Sequence, residues 1–316
     1  MRKKPLSTLL KLLLAMASLS VPGLVSAEKV CRDDGVIVQI LGSGGPEIDD
    51  RQGGPSFLIW IDGKARVLID TGPGSSVAFD KAEANFADLH AILFTHLHTD
   101  HTADFVSFIK GSYFADREEQ LVVLGPDSNA EQFPDTETFV ERLIGPNGAY
   151  PYLSDFLTYK SSGGYRVRAR NVPSTGNRKW ARFGRDGLRI SAIPVNHSIV
   201  PAVAWRLDIG EGDDRRVVVA TGDFNNEKNV VPKFAKGADA IIFNHAIPEN
   251  ARGSARELHI LPSQIGRIAD QAEARMVILA HRMNRTLGRE SQTRNEIEEN
   301  YGGYLLFAND GECWGL

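Results

Sequence analysis

Short apolar runs, each closed by a turn signal, recur along the chain from residue 36 onward. The run 36–41 is followed by Gly42-Ser43-Gly44-Gly45-Pro46, and the runs 56–61 and 65–70 flank Asp62-Gly63-Lys64, a hairpin pattern. Further strands are expected at 91–94, 121–124, 188–195, 203–209, 215–220, 240–243, 276–280 and 304–308. Helical spacing is clearest at 263–274, where Ile265, Ile268, Ala269 and Ala272 share one face and Pro262 suits the helix start. No repeat or low-complexity tract interrupts the pattern. Residues 127–187, rich in Pro, Gly, Tyr and Arg, read as an irregular insertion on a single domain covering 28–316.

The first 27 residues follow a different rule. Arg2, Lys3 and Lys4 precede an apolar stretch, 9–25, that ends in Val25-Ser26-Ala27, a small-residue cleavage site. This is the pattern of a secretory signal peptide. The expected location is secreted or periplasmic, with no stable membrane partner. Its removal takes away four basic and no acidic residues, leaving 32 Lys and Arg against 40 Asp and Glu. Such an acidic chain is a poor general nucleic-acid binder. With 42% hydrophobic and 24% charged residues over 316 positions, the composition is that of a globular protein with a sufficient core.

The densest chemistry lies in Thr95-His96-Leu97-His98-Thr99-Asp100-His101, directly after an apolar strand. In an extended segment His96 and His98 point the same way, while Asp100 and His101 can turn toward a second ion. Nitrogen and carboxylate donors without thiolates suit zinc, with manganese or iron as alternatives. One loop cannot close two sites. His197, Asp223 and His281 each follow a strand-like run as well, and strand ends on one rim are where a rigid scaffold presents its site residues.

This constellation resembles the metallo-β-lactamase superfamily, whose H-x-H-x-D-H loop is matched by His96, His98, Asp100 and His101. The likeness is to the ribonuclease Z-like branch and extends over most of 28–316. It runs through Leu41-Gly42-Ser43-Gly44-Gly45, Leu68-Ile69-Asp70-Thr71-Gly72-Pro73-Gly74, Asn196-His197, Ala220-Thr221-Gly222-Asp223 and Leu279-Ala280-His281. The resemblance implies a four-layer αββα sandwich (class α/β) with two divalent ions at one rim. By it His96, His98 and His197 hold one ion, Asp100, His101 and His281 the other, and Asp223 bridges them. Asp70 would orient the metal loop. Asp100 and His259 would be catalytic, His259 standing 22 residues before His281 at the family-like distance, with Gln264 also fitting that motif. A homodimer is a further implication. The chain departs from the branch where His-Glu-Ala-Thr is expected and Phe243-Asn244-His245-Ala246 stands. There Asn244 replaces the carboxylate expected to orient His259, and His245 is the residue that could compensate. No tRNA-grasping arm is recognisable.

Two cations a few ångströms apart activate water and hold an anionic oxygen. The expected activity is hydrolysis of a phosphodiester, on a small anionic substrate such as a nucleotide or nucleic-acid fragment. A carbon-centred hydrolase (lactonase, β-lactamase or esterase) and a non-catalytic, metal-dependent anion-binding protein use the same ligands and stay open here. Arg166, Arg168, Arg170, Arg178, Lys179, Arg182, Arg185 and Arg189, interleaved with Tyr165, Trp180 and Phe183, form a second feature. On a strand Arg166, Arg168 and Arg170 share one face, either as a nucleotide contact or as a solvated basic surface. Cys31 and Cys313 have no third cysteine to compete with them. Domain termini often lie close together, so a disulfide between them is expected in an oxidising compartment.

Overall fold

The computed structural model describes residue 31 and residues 34–128, 130–158 and 164–316. The expected signal segment, 1–27, lies outside the described residues.

Among the described residues, fourteen strands build two sheets of seven. β1 (Val36–Gly42), β2 (Ser56–Ile61), β3 (Lys64–Ile69), β4 (Ala91–Leu93), β5 (Leu121–Pro126) and β6 (Val167–Val172) form the first sheet with β14 (Cys313–Gly315), in the order β14-β1-β2-β3-β4-β5-β6. The second is β13-β12-β11-β10-β9-β8-β7, from β7 (Trp180–Arg185), β8 (Leu188–His197), β9 (Val200–Ile209), β10 (Arg216–Ala220), β11 (Ala240–Asn244), β12 (Met276–Ala280) and β13 (Tyr304–Phe307). Each sheet is antiparallel through one half and parallel through the other: β3 to β6 run parallel in the first, β10 to β13 in the second.

The burial pattern explains the layering. Alternate residues such as Val38, Ile40, Leu93, Trp205, Ile242 and Ile278 fill the space between the sheets. Their neighbours on the other faces pack under helices: Phe105, Ile109 and Val140 against the first sheet, Ile265, Ile268 and Ile297 against the second. The result is the expected αββα sandwich, and the helix expected at 263–274 runs Pro262–Gln271. Between β2 and β3, Asp62 and Gly63 both have positive φ, 50° and 70°, as a two-residue hairpin of this twist demands.

The irregular reading of 127–187 is corrected. Those residues include helix Thr136–Ile144 and the strands β6 and β7, which are edge strands of the two sheets. β6 alternates Arg168 and Arg170 with half-buried Ala169 and Asn171, so its apolar signal is too thin to stand out. The termini of the described domain meet as expected: Cys31 and Cys313 form a disulfide with Cα atoms 5.9 Å apart.

Candidate metal centre

The candidate ligands collect at the C-terminal ends of strands from both sheets. The loop after β4 carries His96, His98, Asp100 and His101; His197 ends β8; Asp223 follows β10; His281 follows β12. The histidine loop is tied to the opposite sheet just beneath the site. Trp205 Nε1 donates to the Phe94 carbonyl at 3.0 Å, and Val203 N donates to the Thr95 carbonyl at 2.9 Å. Gly45 passes so close to His281 that a Cβ there would stand 2.9 Å from Cε1 of the ring, which accounts for a glycine at that position.

Ligand-type atoms of His96, His98, His197 and Asp223 lie within 4.8 Å of one another, as do those of Asp100, His101 and His281. Asp223 Oδ2 stands between the two groups. It is 3.9 Å from Nε2 of His96, 3.7 Å from Nε2 of His197, 3.9 Å from Nε2 of His101 and 3.5 Å from Nε2 of His281. Asp100 Oδ2 is 3.3 Å from His281 Nε2 and 3.5 Å from His101 Nε2.

Neighbours fix which atoms face inward. His101 Nδ1 and Asp70 Oδ2 are 2.7 Å apart, and Asp70 also accepts from Thr95 N and Thr95 Oγ1, each at 2.8 Å. Asp70 is fully buried and thus holds the loop and the His101 ring together, the orienting contact expected of it. His197 Nδ1 lies 2.8 Å from the Leu258 carbonyl, so it donates there and leaves Nε2 as a lone pair. Nε2 of His101, His197 and His281 is buried without a hydrogen-bond partner among the described residues. Buried polar atoms are ordinarily paired; three such orphans converging beside two carboxylates fit divalent cations, and the nitrogen and oxygen donors suit zinc.

Electrostatics agree with the geometry. Burial depresses the proton affinity of His96 and His197, against the pull of Asp223, so both are neutral at pH 7. Burial opposes charge on Asp223 too, but His281, His259, His101 and His197 hold it well below the carboxylate range. Burial also opposes charge on Asp100, yet His101 and His281 bring it down to about 2. At His101 burial is outweighed by Asp100 and Asp70, which push it up to about 9.

His259 joins this cluster. Its ring centroid is 5.7 Å from those of His197 and His281, and its Nδ1 is 3.7 Å from Asp223 Oδ2. Burial lowers it to about 4, with Asp223 acting against the shift. Gln264 supports the same turn: its Oε1 accepts from Arg256 Nη2 at 2.8 Å, and Arg256 Nη1 donates to the His259 carbonyl at 3.1 Å. The expected exchange at Asn244 is corrected. Asn244 Nδ2 donates to Asp223 Oδ1 at 2.7 Å, so it serves the carboxylate and not His259. His245 does not compensate either, because its Nε2 pairs with Thr293 Oγ1 at 3.2 Å on the far side.

Two residues escaped the sequence reading. Phe133 is half-buried with its ring centroid 6.2 Å from that of His98. Arg285 lies near enough to His259 to disfavour a charge there, and its Nε donates to the Ala246 carbonyl. Neither has a local pattern; only the fold brings them to the site. The basic segment divides. Arg166, Arg168 and Arg170 line a groove with Trp180 and Arg182, whereas Lys179 and Arg189 line a separate cleft.

Known proteins give the same outline. The chain is 26% identical over 266 residues to the ribonuclease Z of Metallosphaera sedula, covering 77% of this chain and 87% of the relative. The metallo-β-lactamase fold protein YhfI from Bacillus subtilis superposes with a TM-score of 0.66 at 19% identity, over 89% of this chain and 99% of that one. The short form of human tRNase Z gives 0.65 at 16% identity, over 88% and 98%. The family model described as the beta-lactamase superfamily domain matches residues 65–282, a span that holds every ligand candidate together with Asp70 and His259, and the chain therefore belongs to the beta-lactamase superfamily, with a metallo-β-lactamase fold of the ribonuclease Z-like kind.

Proposed function

We propose that this metal-dependent hydrolase cleaves phosphodiesters, with a nucleotide or nucleic-acid fragment as substrate. The observation that carries the reading is the placement of His259. It is a protonatable ring within the ligand cluster, yet it belongs to neither of the two donor groups. A phosphodiester needs such a group, because the oxygen that leaves must gain a proton.

His96, His98 and His197 would hold one divalent ion, Asp100, His101 and His281 a second, with Asp223 between them. Bound there, zinc ions supply Lewis-acid charge and lower the pKa of water. The protein's own part is distinct. Asp70 and Asn244 keep His101 and Asp223 in register. Asp100, ionised and half-buried, accepts a hydrogen bond from the attacking water. His259 is neutral before substrate binds; with a phosphodiester anion alongside raising its proton affinity, the ring takes a proton from solvent, gives it to the leaving oxygen and returns to its neutral form. Phe133 offers a flat apolar face to a base beside His98.

The same reading puts the protein outside the cytoplasm. The signal-type segment 1–27 and the Cys31–Cys313 disulfide support it, and N-terminal sequencing of the exported protein tests it.

The deciding assay runs the zinc-loaded protein against bis(4-nitrophenyl) phosphate, a lactone and a β-lactam side by side. Turnover of the phosphodiester above the other two is expected. Turnover confined to the lactone or β-lactam would overturn the phosphodiester reading in favour of carbon-centred hydrolysis. Binding without turnover of any would leave an anion-binding protein.

A further inference from the structure

A cleft of about 820 Å³ opens on the second sheet. Ile193, its lining residue nearest the metal centre along β8, stands four positions before His197, ~13 Å along an extended strand. The cleft is therefore separate from the metal centre. Its lining carries six Lys and Arg and a single carboxylate, Asp208, in a chain of formal net charge −4.

The charges are arranged, not scattered. Arg206 is 7% exposed and donates from Nε and Nη2 to Asp208 at 3.1–3.2 Å. Its Nη1 donates to the carbonyls of Phe234 and Lys236, each at 2.9 Å. Arg215 also donates to Asp208, so the one carboxylate is neutralised by two guanidinium groups. Of the remaining cations, Arg189 faces Glu211 at 3.9 Å and Lys236 faces Glu273 at 2.5 Å. Lys179 and Lys233 have no ion pair among the described residues.

A second observation points to a ligand. Ser191 lies directly opposite Arg206 in the β8–β9 register. It is 3% exposed, and its Oγ has no hydrogen-bond partner among the described residues. A buried hydroxyl left unpaired is destabilising, a cost that an incoming acceptor oxygen removes. The volume lies within the ~300–1,000 Å³ of small-molecule sites.

We propose that this cleft binds a small phosphate-bearing organic anion of mononucleotide size, as a second site apart from the metal centre. The phosphate meets Lys179, Lys233 and the Ser191 hydroxyl. Calorimetric titration of the metal-loaded full chain with AMP tests it, beside the variants Lys179→Glu/Lys233→Glu and Ser191→Ala. The variants alter the cleft and leave every metal-centre residue in place; metal content and thermal midpoint show that they fold. The wild type is expected to bind one equivalent of AMP that the double variant loses or holds at least tenfold more weakly. Ser191→Ala should weaken the same event, and adenosine, without the phosphate, should not compete for it. Identical AMP isotherms for wild type and double variant would overturn the proposal. So would binding of a single-stranded oligonucleotide with none of AMP, which would make the cleft a nucleic-acid surface. None of these readings depends on which bond the metal centre cleaves.

Discussion

Asn244 donates its side-chain amide to Oδ1 of Asp223 at 2.7 Å, and in doing so turns Oδ2 toward the histidines of both donor groups. An amide suits this position because it can only donate through its nitrogen. A carboxylate there would compete with Asp223 for protons. Groups that orient a metal ligand typically contribute ~10–100-fold in metal affinity. Asn244→Ala should therefore weaken zinc retention by about that factor while the protein stays folded. Competition with a coloured chelator measures it, and unchanged affinity would remove Asn244 from the site's support.

His259 should act in turnover and not in metal retention. His259→Ala is expected to lower kcat on a dinucleotide phosphodiester, whose alkoxide leaving group needs a proton, by roughly 10²-fold or more, with a smaller loss on bis(4-nitrophenyl) phosphate and with zinc content as in the wild type. Full activity in the variant would mean that the leaving oxygen takes its proton from elsewhere.

Metal uptake should release protons unequally. His101 is raised to about 9 in the metal-free protein, and His281 is raised as well. Both must lose a proton before a ring nitrogen can bind an ion. His96 and His197 are already neutral at pH 7. Occupancy of Asp100, His101 and His281 should thus strengthen as pH rises toward 9, while occupancy of His96, His98 and His197 stays level above pH 7. Zinc titration calorimetry in buffers of different ionisation enthalpy reads the released protons. Enthalpies that do not depend on buffer at pH 7 would contradict it.

The groove of Arg166, Arg168, Arg170, Trp180 and Arg182 shares no hydrogen bond or ion pair with the metal ligands among the described residues. Replacing the three strand-face arginines by Ala should leave KM for bis(4-nitrophenyl) phosphate unchanged. KM for an oligonucleotide should rise with kcat unaltered, as loss of uniform binding requires. An unchanged KM for both substrates would make the groove a solvated surface.

The disulfide is open to direct test. Denatured, unreduced protein should show no free thiol, and non-reducing electrophoresis should give a monomer. Reduction removes a constraint across 282 positions of sequence, for which chain entropy gives an upper figure of ~5–6 kcal/mol. The thermal midpoint should fall accordingly.

Much of this architecture could be read from residue order because inner strands are strongly patterned. Val36, Val38 and Ile40, or Ile278 and Ala280, meet apolar partners in the core and must be apolar themselves. Edge strands have no such obligation. β6 and β7 pair on one side only, carry exposed arginines, and look like loop. β14, three residues long, is too short to show a period. In the site, His96, His98, Asp100 and His101 announce themselves by crowding. Phe133, Arg285 and the Asn244–Asp223 contact depend on tertiary approach between distant segments, and no local spacing encodes that. The motif likeness at Asn244 pointed to the wrong partner, because a motif gives the position of a residue and not the direction its side chain takes.

The division of ligands between the sheets has a consequence for biogenesis. His96, His98, Asp100 and His101 come from the first sheet's half of the chain; His197, Asp223 and His281 come from the second. A growing or half-folded chain holds only fragments of either donor group around Asp223. Neither donor group is complete until both halves have docked. Metal binding is thereby linked to docking of the two halves: a divalent ion taken up there would clamp one sheet to the other.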